Sequence, residues 1–471
     1  MKKSLTICSI SLWVLFHTCP PNLQGQDPGT QNLTLSSAVE IALKNYPSVR
    51  AASARAGAAE AGIDLARTFY YPKLDLLWQE NRATRNNVFG LLLPQSTIPS
   101  ISGPVLGTTS LGDSVWGSAG GMLVSWEPFD FGLRKASLQQ ARALKDKASA
   151  EAEVTRLDVA ASAADLFLVL AATQAAAQSA RANVERMQVF ARSVHALVDS
   201  QLRPGADASR AEAELAVARN ATIQAQLNIE NARATLAEAL GLAGSDISIA
   251  PDAFPGLPDE RQLPEAKPEE HPLVEAQKAA LETVRARERA LAGSYYPRFN
   301  LQFALFGRGS GALIDGGIDP GKGVFPDVAN WATGLSVSFP ALDVFEIHAR
   351  RRAEKENETA EAARQDQVVQ ILKAQEVRAK AALNAARQIA ANTPLQLKAA
   401  QETYMRSGAR YEAGLGTAVD VADAQRLLAQ AEAENAVARL NVWRALLAVT
   451  RAQGDIYPFL EQASRPGARR Q

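Results

Sequence analysis

The stretch Gly316-Gly317-Ile318-Asp319-Pro320-Gly321-Lys322-Gly323 nearly spells a phosphate-binding loop, in which backbone N–H groups cradle an anion and the lysine reaches its outer oxygens. It lacks the closing Ser or Thr that would hold magnesium, and no helix pattern follows it, so it reads as surface loop. His195, His271 and His348 are scattered, with no i, i+4 pair for a metal. No nucleophile, base and orienting group converge by spacing. The reading is no catalytic residue, no metal site, no cofactor and no enzyme. Two carboxylates remain, Asp420 and Asp423, three residues apart and so on one face of a helix start. Thr417-x-x-Asp420 also has the spacing of a capping box, and an acid there complements the helix dipole.

Long helices must position those carboxylates. The 471 residues are 47% hydrophobic but only 6% aromatic, and alanine is abundant, which favours extended helix over compact sheet. Residues 133–202 hold no proline, and a helix that long would reach roughly 105 Å at 1.5 Å per residue. Along it Leu166, Leu170, Thr173, Ala177, Ala180, Val184, Met187, Ala191, Val194 and Val198 alternate in steps of four and three. The return segment repeats the pattern from Ala208 to Ala239, a coiled-coil seam with much alanine. Leu202-Arg203-Pro204-Gly205 supplies the reversal. A second hairpin is expected over 344–412 and 417–452, with a kink near Asn392 to Leu395 where Pro394 removes a backbone donor.

The hairpins belong to an internal duplication. Pro47 matches Pro272 and Pro72 matches Pro297, an offset of 225 residues in each case; Asp130 matches Asp343 and Asp207 matches Asp420, an offset of 213. All the length difference therefore falls between Pro72 and Asp130, or between Pro297 and Asp343, where a variable loop must lie. The expected organisation is an export signal over 1–25, a first repeat over 26–242, a linker over 243–270, a second repeat over 271–453 and a tail over 454–471. The first helix is expected over 37–69 with Ser37 and Glu40 as its capping box.

Lys2, Lys3 and the apolar run from Leu5 to Phe16 carry the signal assignment. Both cysteines, Cys8 and Cys19, precede the expected cleavage point, so the exported chain would hold no thiol; Cys19 is an alternative lipid acceptor, although Phe16-His17-Thr18 matches a lipobox poorly. Lys plus Arg equals Asp plus Glu at 50 each, which gives nucleic acid no global attraction. Beyond the signal no stretch is expected to be long and apolar enough for a spanning helix.

Any membrane crossing must then use strands. Phe299, Leu301, Phe303 and Leu305 share one parity, as do Trp331, Thr333, Leu335, Val337 and Phe339, then Leu74, Leu76 and Trp78, then Trp116, Met122, Val124 and Trp126. The opposite parities read as small or polar, and the connecting loops as 83–115 and 308–330. Trp116 and Trp126 stand roughly 33 Å apart along one strand, which at about 40° tilt spans roughly the 25 Å apolar band of a membrane barrel. The aromatics Trp78, Trp116, Trp126, Trp331 and Phe339 would form its girdle against outer membrane lipid. Four strands cannot close alone, and an open edge cannot sit in lipid. Three copies give twelve strands, so a homotrimer is expected.

The opening Leu33-Thr34-Leu35-Ser36-Ser37-Ala38-Val39-Glu40-Ile41-Ala42-Leu43-Lys44-Asn45-Tyr46-Pro47, the Phe129-Asp130-Phe131-Gly132 stretch and Tyr411-Glu412-Ala413-Gly414-Leu415-Gly416-Thr417-Ala418-Val419-Asp420 resemble the TolC-like outer membrane efflux protein family. The resemblance implies a mainly α protein with a duplicated strand-strand-long-hairpin repeat, a trimeric 12-stranded barrel and an α-helical coiled-coil periplasmic tunnel. It also implies an outer membrane channel-tunnel of a tripartite efflux or type I secretion system, working with a periplasmic adaptor (membrane fusion) protein and an inner membrane pump. Asp420, Asp423 and Tyr411 fall on the family's periplasmic gate, although some members carry an arginine where this chain has Gly416. Gly205, Gly414 and Leu415 are the expected adaptor-docking tips. The competing reading is a periplasmic coiled-coil adaptor or scaffold, but adaptors carry one hairpin rather than two of matched length.

Overall fold

The computed structural model describes residues 32–84, 107, 110–250, 256–258, 267–339 and 341–464. The expected export signal and both cysteines lie outside the described residues, as does most of loop 83–115. The elements in chain order are β1 (Asn32–Leu33), α1 (Leu35–Asn45), α2 (Pro47–Thr68), β2 (Lys73–Thr84), β3 (Ser114–Trp126), α3 (Leu133–Asp199), α4 (Gly205–Ala239), β4 (Ser248–Ile249), α5 (Pro272–Gly293), β5 (Arg298–Ser310), β6 (Val328–Ser338), α6 (Val344–Glu412), α7 (Ala418–Gln453) and α8 (Tyr457–Ser464). The protein is mostly helical with a few strands.

The helix expected over 37–69 is two helices. Tyr46 is extended (φ −65°, ψ 127°) because a proline ring excludes a helical residue before it, and Pro47 opens α2 at a position where its missing N–H costs nothing. The capping box forms three residues before the expected one: the Thr34 N–H donates to Ser37 Oγ at 2.9 Å, and the Ser37 N–H donates to Thr34 Oγ1 at 3.2 Å. β1 and β4 form a short parallel pair, and α8 follows α7; neither was anticipated.

The long helices lie where the heptads put them. Leu170, Ala177, Met187, Ala191 and Val194 of α3 are buried, as are Ala208, Ala211, Ala218, Ile229 and Leu236 of α4; Leu428, Ala431 and Ala438 of α7 pair likewise with Leu383, Ala390 and Ala400 of α6. The helix α6 continues unbroken through Pro394, where the neighbouring Thr393 hydroxyl donates to Asn435 Oδ1 of α7 at 3.2 Å. α3 joins the hairpins by packing on α7 as well as α4, and α5 packs between α3 and α6. Contrary to expectation, one 18-residue window of α3 is apolar enough to cross a membrane by length and composition. That window's apolarity has a packing reason: Ala163, Ala164, Phe167, Leu168 and Leu170 enter the largest core cluster, with Leu236, Trp443, Leu446 and Phe459.

The four long strands make one antiparallel sheet in the order β2-β3-β5-β6. The register aligns Leu76, Met122, Leu305 and Trp331 across all four strands, and Leu74, Val124, Phe303 and Thr333 in the next row. Leu74, Leu76, Trp78, Leu301, Phe303, Leu305, Trp331, Leu335 and Val337 are exposed, so among the described residues one face is a continuous, largely uncovered apolar surface, with Phe325 6.4 Å from the Trp78 ring. The other face is less polar than expected: Leu123, Ala304 and Phe306 cluster there with Leu77 and Ala332. Leu77, Leu123 and Phe306 sit where alternation lapses, at Leu76-Leu77, Met122-Leu123-Val124 and Leu305-Phe306. Among the described residues, the outer edges of β2 and β6 have no strand partner.

Candidate functional site at the hairpin tips

Both hairpins reverse by the same backbone device. α3 ends with Gln201 in the left-handed region (φ 60°), and the Leu202 N–H returns to the Leu197 carbonyl at 2.9 Å. α6 ends with Gly414 at φ 77°, and the Leu415 N–H returns to the Arg410 carbonyl at 2.8 Å. Each is a left-handed residue followed by a bond back across the last turn, which satisfies orphan carbonyls. The two motifs align at the offset of 213: Gln201 with Gly414, Leu202 with Leu415, Arg203 with Gly416, Pro204 with Thr417, and Asp207 with Asp420. Gly414 therefore has a conformational reason to be glycine. Gly205 has no positive φ and open space where a Cβ would stand, so the first reversal does not require it. Leu202 and Leu415 project from the two tips at 70% and 72% exposure.

The aspartates that follow are used differently. At the second tip the Thr417 N–H and the Thr417 hydroxyl each donate to Asp420 Oδ2 at 2.9 Å, and these two bonds hold the Asp420 carboxyl below its ordinary range; the Asp420 N–H in turn donates to Thr417 Oγ1 at 3.2 Å. At the first tip Pro204 occupies the equivalent position and has neither an N–H nor a hydroxyl to offer. The Asp207 carboxylate instead accepts from the Tyr411 hydroxyl at 3.2 Å, which joins the two hairpins. Tyr411 is only 2% exposed and packs with Ala191, Val194, Ala208, Ala211 and Val421; burial first, then the Asp207 charge, pushes its phenol up. Asp423 pairs with Arg426 of its own helix.

Of the three gate residues expected from the sequence, the structure thus brings only Tyr411 across to the other hairpin. Asp420 and Asp423 are held by their own helix start. Asp207 and Arg203 were missed as site residues. The signal that would have found them is the 213-residue offset, which maps Asp207 onto Asp420.

In the sheet, Trp78 and Trp331 lie in middle rungs, Trp126 and Phe339 at the helix-proximal end, and Trp116 toward the loop end, with the Arg82 guanidinium 5.5 Å from its ring centre. Trp126 donates its indole N–H to the Tyr70 carbonyl at 3.3 Å. A further aromatic group sits at the helix-proximal end: Phe129 and Phe131 are 4.7 Å apart, and Phe131 stacks on Tyr296 at 5.2 Å. The stretch resembling a phosphate loop runs from the β5–β6 turn, with Lys322 near Asp319 at 3.8 Å, and β6 rather than a helix follows.

A family model described as outer membrane efflux protein matches residues 38–242 and 263–455. The chain is 26% identical over 448 residues to Protein CyaE of Bordetella pertussis, across 93% of this chain and 86% of that protein. Its fold is similar to that of the Campylobacter jejuni CmeC outer membrane channel, with a TM-score of 0.72 and 15% identity over 97% of this chain and 98% of that chain. It is also similar to the open state of the Neisseria gonorrhoeae MtrE outer membrane channel, with a TM-score of 0.67 and 21% identity over 89% of each chain.

Proposed function

The chain belongs to the outer membrane efflux protein family, and from that premise we infer how it works. It is the outer membrane channel component of a tripartite efflux or secretion system, seated in the outer membrane and extending into the periplasm. It acts as a passive duct rather than an enzyme: an inner membrane pump selects the cargo, and a periplasmic adaptor docks the duct to that pump. The working unit is a homotrimer whose three sheets close as one barrel.

One observation carries this reading. Among the described residues the sheet has a continuous exposed apolar face and two edges without a strand partner, and it sits on helices α3 and α6 of roughly 100 Å. An exposed apolar face needs lipid, and an open edge in lipid needs another strand. Sister copies supply it when the β6 edge of one meets the β2 edge of the next. Trp78, Trp116, Trp126, Trp331 and Phe339 then face lipid and its headgroup borders. The repeats over 26–242 and 271–453, joined by 243–270, each give the barrel one strand pair and the tunnel one hairpin.

At the far end, Asp420 and Asp423 of three copies gather six carboxylates at the mouth, which draws cations and makes closure depend on the charge around it. Capping is compatible with this role, because a capped aspartate remains ionised. Gly205, Gly414 and Leu415 are the docking points for the adaptor, and Leu202 joins them because it matches Leu415 in place and exposure. Planar-bilayer recording tests the duct and its mouth together. The wild type is expected to form cation-preferring channels from a trimer-sized, detergent-requiring particle, and Asp420→Ala with Asp423→Ala to lose much of that preference. A stable soluble monomer would overturn the duct, and an unchanged preference would reduce both residues to helix caps.

A further inference from the structure

Arg203 stands where the second repeat has Gly416, and its side chain crosses to the very tip it replaces. The guanidinium carbon lies 4.3 Å from the centre of the Tyr411 ring. Nη2 donates to the Tyr411 carbonyl, and Nη1 donates to the Gly416 carbonyl at 3.4 Å. One side chain therefore stacks on the tyrosine and holds a carbonyl on each side of the α6–α7 reversal. From this arrangement we propose that Arg203 is a positioning residue for the periplasmic mouth, a cross-tip clasp that fixes Tyr411 and ties the two hairpins of each protomer together. The proposal rests on the channel reading above and adds the residue that regulates its aperture.

Three physical reasons make arginine fit. A planar cation is attracted by the face of an aromatic ring, more so where the pair is shielded from water, and Arg203 is half-buried. Tyr411 lies in the last turn of α6, at the negative end of the helix dipole, and its carbonyl, which accepts from the Gly414 N–H at 3.1 Å, has a second lone pair for the guanidinium. The guanidinium fork presents donors on separate nitrogens in a fixed plane, so it can serve two carbonyls while its face stacks, whereas an ammonium has three donors on one nitrogen and no plane to stack. At the receiving end, a side chain on residue 416 would crowd the Arg410 Cβ and the Tyr411 nitrogen at 3.3 Å, so this reversal has little room to build the contact from its own residues.

With the guanidinium in place the Tyr411 ring is pinned on one face, and its hydroxyl is aimed at Asp207. Without it the ring is no longer pinned on that face, the Tyr411–Asp207 bond weakens with it, and what remains between the tips is the apolar packing of Tyr411 on Ala191, Val194, Ala208 and Ala211. The clasp predicts that Arg203 and Tyr411 act as one unit in gating.

The test records full-length protein in planar bilayers and compares wild type, Arg203→Ala, Arg203→Lys, Tyr411→Phe and the Arg203→Ala/Tyr411→Phe double variant. Arg210→Ala serves as a control, since Arg210 is an exposed arginine on α4 outside the clasp. Arg203→Ala is expected to raise the open fraction on the order of tenfold, the scale of one lost cation–π contact with its hydrogen bonds. Arg203→Lys should fall between, and Arg210→Ala should match wild type. Tyr411→Phe should have a smaller effect in the Arg203→Ala background than alone, because interacting residues are not additive. Should Arg203→Ala fail to assemble, Arg203→Lys carries the same comparison. An open fraction equal to wild type in Arg203→Ala, full rescue by lysine, or strict additivity with Tyr411→Phe would overturn the clasp. A wild type that forms no channels would count against the channel reading instead, so the two failures are distinct.

Discussion

The two hairpin tips share a backbone and differ in what they do with it. Each ends its outgoing helix on a left-handed residue, presents an exposed leucine next, and places an aspartate five residues after that leucine. One position then separates them. Thr417 captures Asp420 for its own helix, whereas Pro204 cannot, so Asp207 reaches the other hairpin. A similar divergence occurs at the opposite ends of α3 and α6. Asp130 accepts from the Gly132 and Arg134 N–H groups, while its equivalent Asp343 makes no side-chain cap. Duplication thus kept the fold-determining geometry and let single residues at caps decide which contacts stay local and which cross between repeats.

The largest expected effect comes from the residue on which the crossing converges. Tyr411→Ala removes a buried ring from the tip cluster and should cost about 3–5 kcal/mol, as large aromatic truncations do. Its equivalent in the first hairpin, Val198, is half-buried, and Val198→Ala should cost roughly 1 kcal/mol. Urea unfolding of the detergent-solubilised protein measures both. Equal losses would show that the tips are not energetically distinct.

The next effect tests the caps themselves. Thr417→Ala removes the hydroxyl that accepts from the Asp420 N–H and donates to Asp420 Oδ2, leaves only the residue 417 backbone N–H to hold the carboxylate, and should cost about 1 kcal/mol, while Pro204→Ala removes no side-chain cap and should stay within about 0.5 kcal/mol. Amide exchange at Asp420 should accelerate in the first variant alone. If Pro204→Ala proved the more damaging, the first tip would depend on the rigidity of its turn rather than on the freedom of Asp207.

Much of this architecture could be read from the chain. The heptad from Leu166 to Val198, the alternation from Phe299 to Leu305 and the paired prolines fix the hairpins, the strands and the duplication, because each is a periodic signal summed over many residues. Single-residue features were harder. The left-handed position at the first tip is Gln201 rather than a glycine, and no local pattern marks it. The break at Tyr46-Pro47 is hidden because proline is as welcome at a helix start as it is unwelcome within one. The clasp joins residues 203 and 411, far apart in sequence, so spacing within one helix could reveal Asp420 and Asp423 but not Arg203. The apolar window of α3 shows the converse limit, since a wall helix and a spanning helix share a composition and differ only in what surrounds them.

The smallest effect lies at another pair of equivalents, Tyr46 and His271, which precede Pro47 and Pro272. Tyr46 makes no side-chain cap on α2, but His271 caps α5: its Nδ1 accepts from the Leu273 N–H at 3.1 Å, and Nε2 lies 3.3 Å from the Arg451 carbonyl, to which it donates. The ring is 5% exposed, and burial lowers its pKa below the ordinary 6.5, against the opposing pulls of the Arg451 carbonyl and the Asp158 charge. The neutral ring is thus the folded form. Above pH 6.5 histidine is neutral in both folded and unfolded chains, and its contribution is fully present. As the pH falls below that value the unfolded chain gains the proton first, and stability is lost until the pH passes the lowered folded value. Protonation also removes the acceptor that caps α5. His271→Asn keeps a capping side chain that does not titrate. Its thermal midpoint near pH 7 should lie below wild type, because the bond to the Arg451 carbonyl and part of a buried ring are lost, but it should fall less than wild type does between about pH 6.5 and 5. Because all other groups are shared, the difference between the two curves isolates this ring, and parallel curves would leave the two helix starts equivalent despite their different caps.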